Sequence, residues 1–120
     1  MLSVKRNNIF MTRGDTVSLK IDLVDATGDP YYLKEGDIGI FRMKKKVSDK
    51  VLLIEKELET DDEGQLYLVL EPVDTEYLNF GIYLFEIELV TSEEEHYTVI
   101  ADATLELGKE LENHERSIGN

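Results

Sequence analysis

Side chains that could do chemistry fall in a few short stretches of this 120-residue sequence. Asp61-Asp62-Glu63 places three carboxylates within one turn. Calcium needs roughly six to eight oxygens, usually on a glycine-bent loop such as the EF-hand, and that spacing is missing here. Glu93-Glu94-Glu95-His96 adds one imidazole to three flexible acids. The other histidine is His114, so no His-x3-His pair exists and zinc is not expected. Arg13-Gly14-Asp15 matches a cell-adhesion tripeptide, but the same residues serve as a bend between strands, with Gly14 supplying the backbone freedom. Lys44-Lys45-Lys46 follows a strand end with no aromatic residue interleaved. Such a cluster discourages edge-to-edge pairing, or it faces an acidic partner surface.

Charge and composition narrow the functions further. Thirteen Lys and Arg stand against 26 Asp and Glu, a formal net charge of −13. Nucleic acid and anionic membranes both demand positive charge, so neither is expected as a partner. The chain has no cysteine, which removes disulfides, thiolate metal sites and cysteine nucleophiles. No Gly-x-Ser-x-Gly elbow occurs. Most acids fall at turns or outward strand positions, where they are solvated. Paired carboxylates for glycoside hydrolysis stay open in principle, since residues distant in sequence can meet. The expectation is a non-enzyme with no catalytic residue, metal or cofactor. Residues 1–8 lack an apolar stretch behind Lys5 and Arg6, so no secretory signal is expected. No apolar run approaches the ~18 residues that cross a bilayer.

The elements that must carry these residues are strands. Val17, Leu19, Ile21 and Leu23 alternate with Ser18, Lys20 and Asp22, giving one buried and one wet face. Turn formers concentrate at residues 25–30. Further strands are expected near residues 38–44, 51–58 and 66–70, with Gly64 suited to the positive φ of the turn before the last. Tyr83, Phe85, Ile87 and Leu89 alternate most clearly, answered by Tyr97, Val99, Ala101, Ala103, Leu105 and Leu107. A short strand near residues 9–11 brings the count to about seven. Helix is confined to one turn within residues 72–78 and to a weak, polar propensity near the C-terminus. This pattern predicts an all-β, immunoglobulin-like two-sheet antiparallel sandwich over residues 1–107, with a polar tail at 108–120; a small closed barrel is the alternative. Tyr83 opens a strand just after Leu78 and Gly81. It is therefore either a tyrosine corner, bonding back to the preceding turn, or ordinary core.

Four blocks carry a family likeness. They are Arg13-Gly14-Asp15-Thr16, Gly28-Asp29-Pro30-Tyr31-Tyr32-Leu33, Phe41-Arg42-Met43-Lys44-Lys45, and Leu70-Glu71-Pro72-Val73-Asp74-Thr75 continuing through Leu78, Gly81 and Tyr83 to Ile87-Glu88-Leu89. In that order and spacing, over roughly residues 8–107, the chain resembles the N-terminal immunoglobulin-like domain of the phage baseplate upper protein family. That domain also occurs in prophage tail-fibre and baseplate components. The resemblance implies a virion structural protein of the phage tail, made in the bacterial host cytoplasm. It implies docking on other tail or baseplate subunits, as a baseplate or fibre-attachment component.

Side-chain direction suggests where docking occurs. If Phe41 and Met43 point inward, Ile38, Ile40 and Arg42 point out. Ile82 and Leu84 on the following strand then face the same way, as does Ile100 on the last. These six residues form the expected protein interface, serving a tail subunit or self-association. Glu86, Glu88 and Glu106 are expected on the same side with few cations opposite, an arrangement that repels itself. The rival reading is a carbohydrate- or receptor-binding module, with Tyr31 and Tyr32 as the ligand loop.

Overall fold

Each segment with a two-residue hydrophobic period is a strand in the computed structural model, which describes residues 3–4 and 8–109. The order is β1 (Ser3–Val4), β2 (Asn8–Thr12), β3 (Val17–Ile21), β4 (Leu23–Val24), β5 (Pro30–Tyr31), β6 (Ile38–Lys44), β7 (Ile54–Glu57), β8 (Glu59–Thr60) and β9 (Leu66–Leu70). A single helical turn, α1 (Pro72–Thr75), precedes β10 (Gly81–Val90) and β11 (His96–Gly108). One five-stranded sheet has the order β2-β11-β10-β6-β7. Opposite it stands the three-stranded sheet β3-β9-β8, and β1-β4-β5 forms a small third sheet. The chain is an all-β, immunoglobulin-like sandwich.

Its departures from the simplest seven-strand scheme are local. The strand predicted from residue 17 onward divides after Ile21, and β4 leaves β9 to pair with β1 and β5. One pairing is parallel, β2 against β11, with Asn8 opposite Thr104 and Thr12 opposite Gly108. The strand expected at residues 51–58 starts only at Ile54, because Leu53 N–H donates to Met43 O at 2.8 Å and closes a loop before pairing begins. Residues 110–120, the bulk of the expected tail, lie outside the described residues.

One continuous core joins the sheets. Phe41, Met43, Ile87, Leu89, Leu105 and Leu107 from the large sheet and Leu66, Leu68 and Leu70 from the small one are fully buried. The Phe41 and Phe85 rings meet at 5.3 Å between centroids, tilted by 35°. Burying a large apolar side chain is worth roughly 1.5–3 kcal/mol, so these alternating positions dominate the stability.

The end of the sandwich is locked by polar contacts that use the turn residues. Tyr83, 3% exposed, donates its hydroxyl to Asn79 O at 2.5 Å. That bond is the tyrosine corner. The fully buried Thr75 accepts at Oγ1 from Gly14 N–H at 2.9 Å. Arg13 stacks over Phe80 at 4.2 Å and donates to Leu78 O at 3.3 Å. Arg13-Gly14-Asp15 is therefore a bend tied to the α1 region, with Gly14 at φ +81°.

Candidate functional site: the outer face of the five-stranded sheet

Cross-strand register decides which side chains share the outer face. Val90 lies opposite Ile38, Glu88 opposite Ile40, Glu86 opposite Arg42, and Leu84 opposite Lys44. Phe41 and Met43 are fully buried, so Ile38, Ile40 and Arg42 do point outward, each half-buried among its neighbours. Ile82 is 54% exposed and Leu84 half-buried on the same side. Ile82 is paired with Glu106, which is paired in turn with Phe10 of edge strand β2. Phe10 is 78% exposed.

Ile100 is not on this face. It is 5% exposed, sits opposite Ile87 and belongs to the core. The cause is irregular pairing along β11, whose register shifts between Phe85 and Ile87 and again between Ile87 and Glu88. Each extra residue on β11 advances its side chains by one position, which exchanges the faces. Val99 and Ile100 are consequently both buried, while Ala101, expected inside, is exposed.

The middle of the face is charged. Arg42 Nε donates to Glu55 Oε2 at 2.7 Å, and its Nη1 to Glu88 Oε1 at 2.9 Å and Glu86 Oε2 at 3.3 Å. His96 Nδ1 lies 2.9 Å from the other oxygen of Glu88. The expectation that Glu86, Glu88 and Glu106 repel one another with few cations opposite is thus corrected for the first two: one guanidinium serves both and Glu55 besides. These bonds, chiefly that to Glu55, raise the Arg42 pKa above its ordinary value. Hydrogen bonding from His96, then from Arg42, holds the Glu88 carboxyl below the usual carboxylate range. The network divides the apolar residues into two groups, with Ile38, Ile40 and Val90 on one side and Leu84, Ile82 and Phe10 on the other.

A pocket opens beside the second group. It is lined by Arg42, Lys44, Val47, Leu52, Leu84, Phe85 and Glu86 and holds about 210 Å³. Sequence reasoning missed its outer wall, because Val47 lies before, and Leu52 within, the run expected as a strand at residues 51–58.

Tyr31 and Tyr32 part company. Tyr31 is half-buried against the core, whereas Tyr32 is 51% exposed. Tyr32 lines a shallow depression with Lys20, Asp61, Glu63, Gln65 and Tyr67, so the second aromatic of that site is Tyr67. Its alternating position in β9 makes Tyr67 outward, a signal already present in the sequence. Asp61 spends Oδ1 on the N–H groups of Glu63 and Gln65, and Oδ2 accepts from Tyr67 at 3.2 Å. Among the described residues no cluster of three or more His, Asp or Glu side chains has the geometry to hold a metal ion. Among them, too, no helix is long and apolar enough to cross a membrane.

Neither a family model nor a curated protein matches the sequence. Among solved structures, one described as that of murine CRIg aligns over 92% of this chain and 98% of its own. The two share 13% sequence identity, with a TM-score of 0.44.

Proposed function

We propose that this chain is a non-enzymatic structural protein of a phage or prophage virion, a tail, baseplate or fibre-attachment component that docks onto neighbouring subunits. The observation that carries docking is the exposed Ile82 with half-buried Leu84 beside it, and exposed Phe10 across Glu106 on the same face, on a protein of net charge −13. Apolar groups gathered on one face mark interfaces more often than they decorate free surface. The virion setting is supported by the four sequence blocks. Synthesis in the bacterial host cytoplasm and assembly into the tail follow from that reading, and self-association is the other use of the same face.

The test is Ile82→Lys combined with Leu84→Lys, two outward positions, so the core is untouched. The double variant is expected to fold with a near-native melting curve and to be lost from purified tail particles in quantitative mass spectrometry. Normal incorporation of the folded variant overturns the reading, while a change confined to sedimentation assigns the face to self-association.

A second reading, a carbohydrate- or receptor-binding module, is supported by the Tyr32 and Tyr67 depression, since sugars stack on exposed aromatic rings. A glycan-array signal removed by Tyr32→Ala with Tyr67→Ala would establish it. An array with no signal would remove it.

A further inference from the structure

Beyond Lys44 the outer face ends in a loop whose charge is opposite to that of the chain as a whole. Residues 44–50 contain four lysines, Lys44, Lys45, Lys46 and Lys50, against the single Asp49, a local balance of +3 in a protein of −13. The loop is closed on itself. Asp49 N–H donates to Lys46 O at 3.0 Å, and Lys46 N–H to Asp49 Oδ2 at 3.0 Å. Lys44 Nζ donates to Val47 O and Asp49 O at 2.9 and 3.3 Å, and Lys45 Nζ to Ile82 O at 2.9 Å. Those acceptors are carbonyl dipoles. Among the described residues none of the four lysines joins an ion pair. Lys45 Nζ also stands 4.5 Å over the Tyr83 ring, so the charge that stays available to a partner is chiefly that of Lys46 and Lys50.

The same loop exposes apolar side chains. Val47 is 69% exposed, Val51 74%, Leu52 39% and Leu53 43%. Val47 and Leu52 also wall the 210 Å³ pocket, closed on the sheet side by Leu84 and Phe85. At about 210 Å³, and open to solvent on its outer side, the pocket has room for a single large aliphatic or aromatic side chain. Glu86 also lines the pocket, but Arg42 holds its carboxylate at 3.3 Å.

We infer that the pocket and lysine loop bind an acidic segment of a partner protein, one large apolar side chain filling the pocket while flanking carboxylates meet the lysines. The inference rests on the docking reading above and supplies the partner's chemistry. Charge complementarity selects the occupant, since a basic segment meets the lysines with like charge and a neutral one leaves them unused. Length is bounded as well. Outside this loop the molecule is acidic, so an extended polyanion such as nucleic acid or an anionic bilayer is repelled where a short acidic segment is not.

Fluorescein-labelled peptides test this on the full chain: a leucine flanked on each side by two glutamates, the same peptide with alanine for leucine, and one with lysines for glutamates. The acidic leucine peptide is expected to saturate, with affinity falling as salt rises. The alanine peptide and the variant Lys46→Glu with Lys50→Glu should each bind about tenfold more weakly, or less, as expected for losing one buried contact or a charge pair. Leu52→Asp gives a second variant that attacks the pocket wall independently. No saturable binding, equal binding of the lysine peptide, variants that bind like the parent, or capture of anionic vesicles in place of the peptide would each overturn the inference. If the peptide fails while Ile82→Lys with Leu84→Lys still removes the chain from particles, docking stands and only the partner chemistry falls.

Discussion

The turn at residues 61–65, in the small sheet, and the turn at 91–95, in the large one, are built on one frame. In the first, Asp61 N–H donates to Gln65 O and Gly64 N–H to Asp61 O, both at 3.1 Å. In the second, Thr91 N–H donates to Glu95 O and Glu94 N–H to Thr91 O, both at 2.9 Å. A side-chain oxygen of the first residue accepts from the fifth N–H in each, at 3.0 Å for Asp61 and 3.1 Å for Thr91. The fourth residue is left-handed in both, φ +86° at Gly64 and +64° at Glu94. What differs is the surroundings. A Cβ on Gly64 would lie 2.4 Å from Leu33 O and 2.8 Å from Leu33 N, whereas Glu94 stands in solvent. Packing, more than backbone conformation, demands glycine in the small sheet.

The largest effect should come from removing that difference. Gly64→Ala combines a left-handed cost of roughly 1–2 kcal/mol with a steric shift of roughly 1–3 kcal/mol, about 3 kcal/mol in all. Leu33 N–H also donates to Gly64 O at 2.9 Å, so the displaced segment loses a backbone bond unless it moves as a unit. Urea unfolding should show the full loss. A change under about 0.5 kcal/mol, the ordinary range for surface substitutions, would mean that the Leu33 segment yields freely.

Next in size is the charged centre of the large sheet. Arg42→Ala leaves Glu55, Glu86 and Glu88 facing one another, with side-chain exposures of 54%, 47% and 17%. Charge-assisted bonds are worth roughly 1.5–3 kcal/mol each when shielded, but solvent screens two of these, so about 2 kcal/mol is expected. Arg42→Lys should recover under half of it, because one ammonium cannot span three carboxylates across strands. Acid titration reads the same network. The folded pKa of Glu88 lies below its ordinary 4.5, so its contribution is fully present above 4.5 and fades as pH falls through the folded value. Glu88→Gln should flatten stability against pH below 4.5; an unaltered acid limb would remove Glu88 from the network.

How much of this was legible in the sequence follows from what period and register each encode. Period two gave strand β6 its bounds at Ile38–Lys44 but left its two faces open, since Ile38 with Ile40 and Phe41 with Met43 are both apolar; the burial of Phe41 and Met43 decides between them. Period two failed at Ile100, where the adjacent apolar pair Val99-Ile100 broke the alternation and signalled the irregular pairing. The Arg42 network depended on register. Nothing local states that Glu86 and Glu55 stand opposite Arg42, since that requires knowing where two hairpins align. The exposed rim of Val51, Leu52 and Leu53 is indistinguishable from a strand in the sequence, because a short apolar run fits a buried strand equally well. The loop that exposes it is closed by Leu53 N–H to Met43 O together with the bonds among Lys44, Lys46, Val47 and Asp49.

The third prediction turns the first around. Glu94→Gly relieves the left-handed cost at a position with no packing constraint, so stability should rise by about 0.5–1 kcal/mol. It also removes one of three consecutive acids, Glu93 to Glu95, which adds in the same direction. Glu94→Gln separates the two causes, keeping the strain while removing the charge. Equal gains from both substitutions would assign the effect to charge, leaving the turn comparison without energetic content at this site.

The smallest effect belongs to the outer face of the small sheet. There Lys20 Nζ stands 3.9 Å from Asp22 Oδ1, with side chains 60% and 58% exposed. Both ends of that pair are wetted, and holding two flexible side chains together costs entropy, so its net worth is about 0–0.5 kcal/mol. Lys20→Ala should change urea stability by less than about 0.5 kcal/mol, against the ~2 kcal/mol expected for Arg42→Ala. Both substitutions remove one positive charge from the same acidic protein, so the long-range cost of greater net charge is common to them and cancels in the difference. What remains is local: one cation among three carboxylates and only 24% exposed, the other beside a single exposed aspartate. Equal losses from the two variants would show that net charge governs stability and that the arrangement around Arg42 contributes nothing of its own.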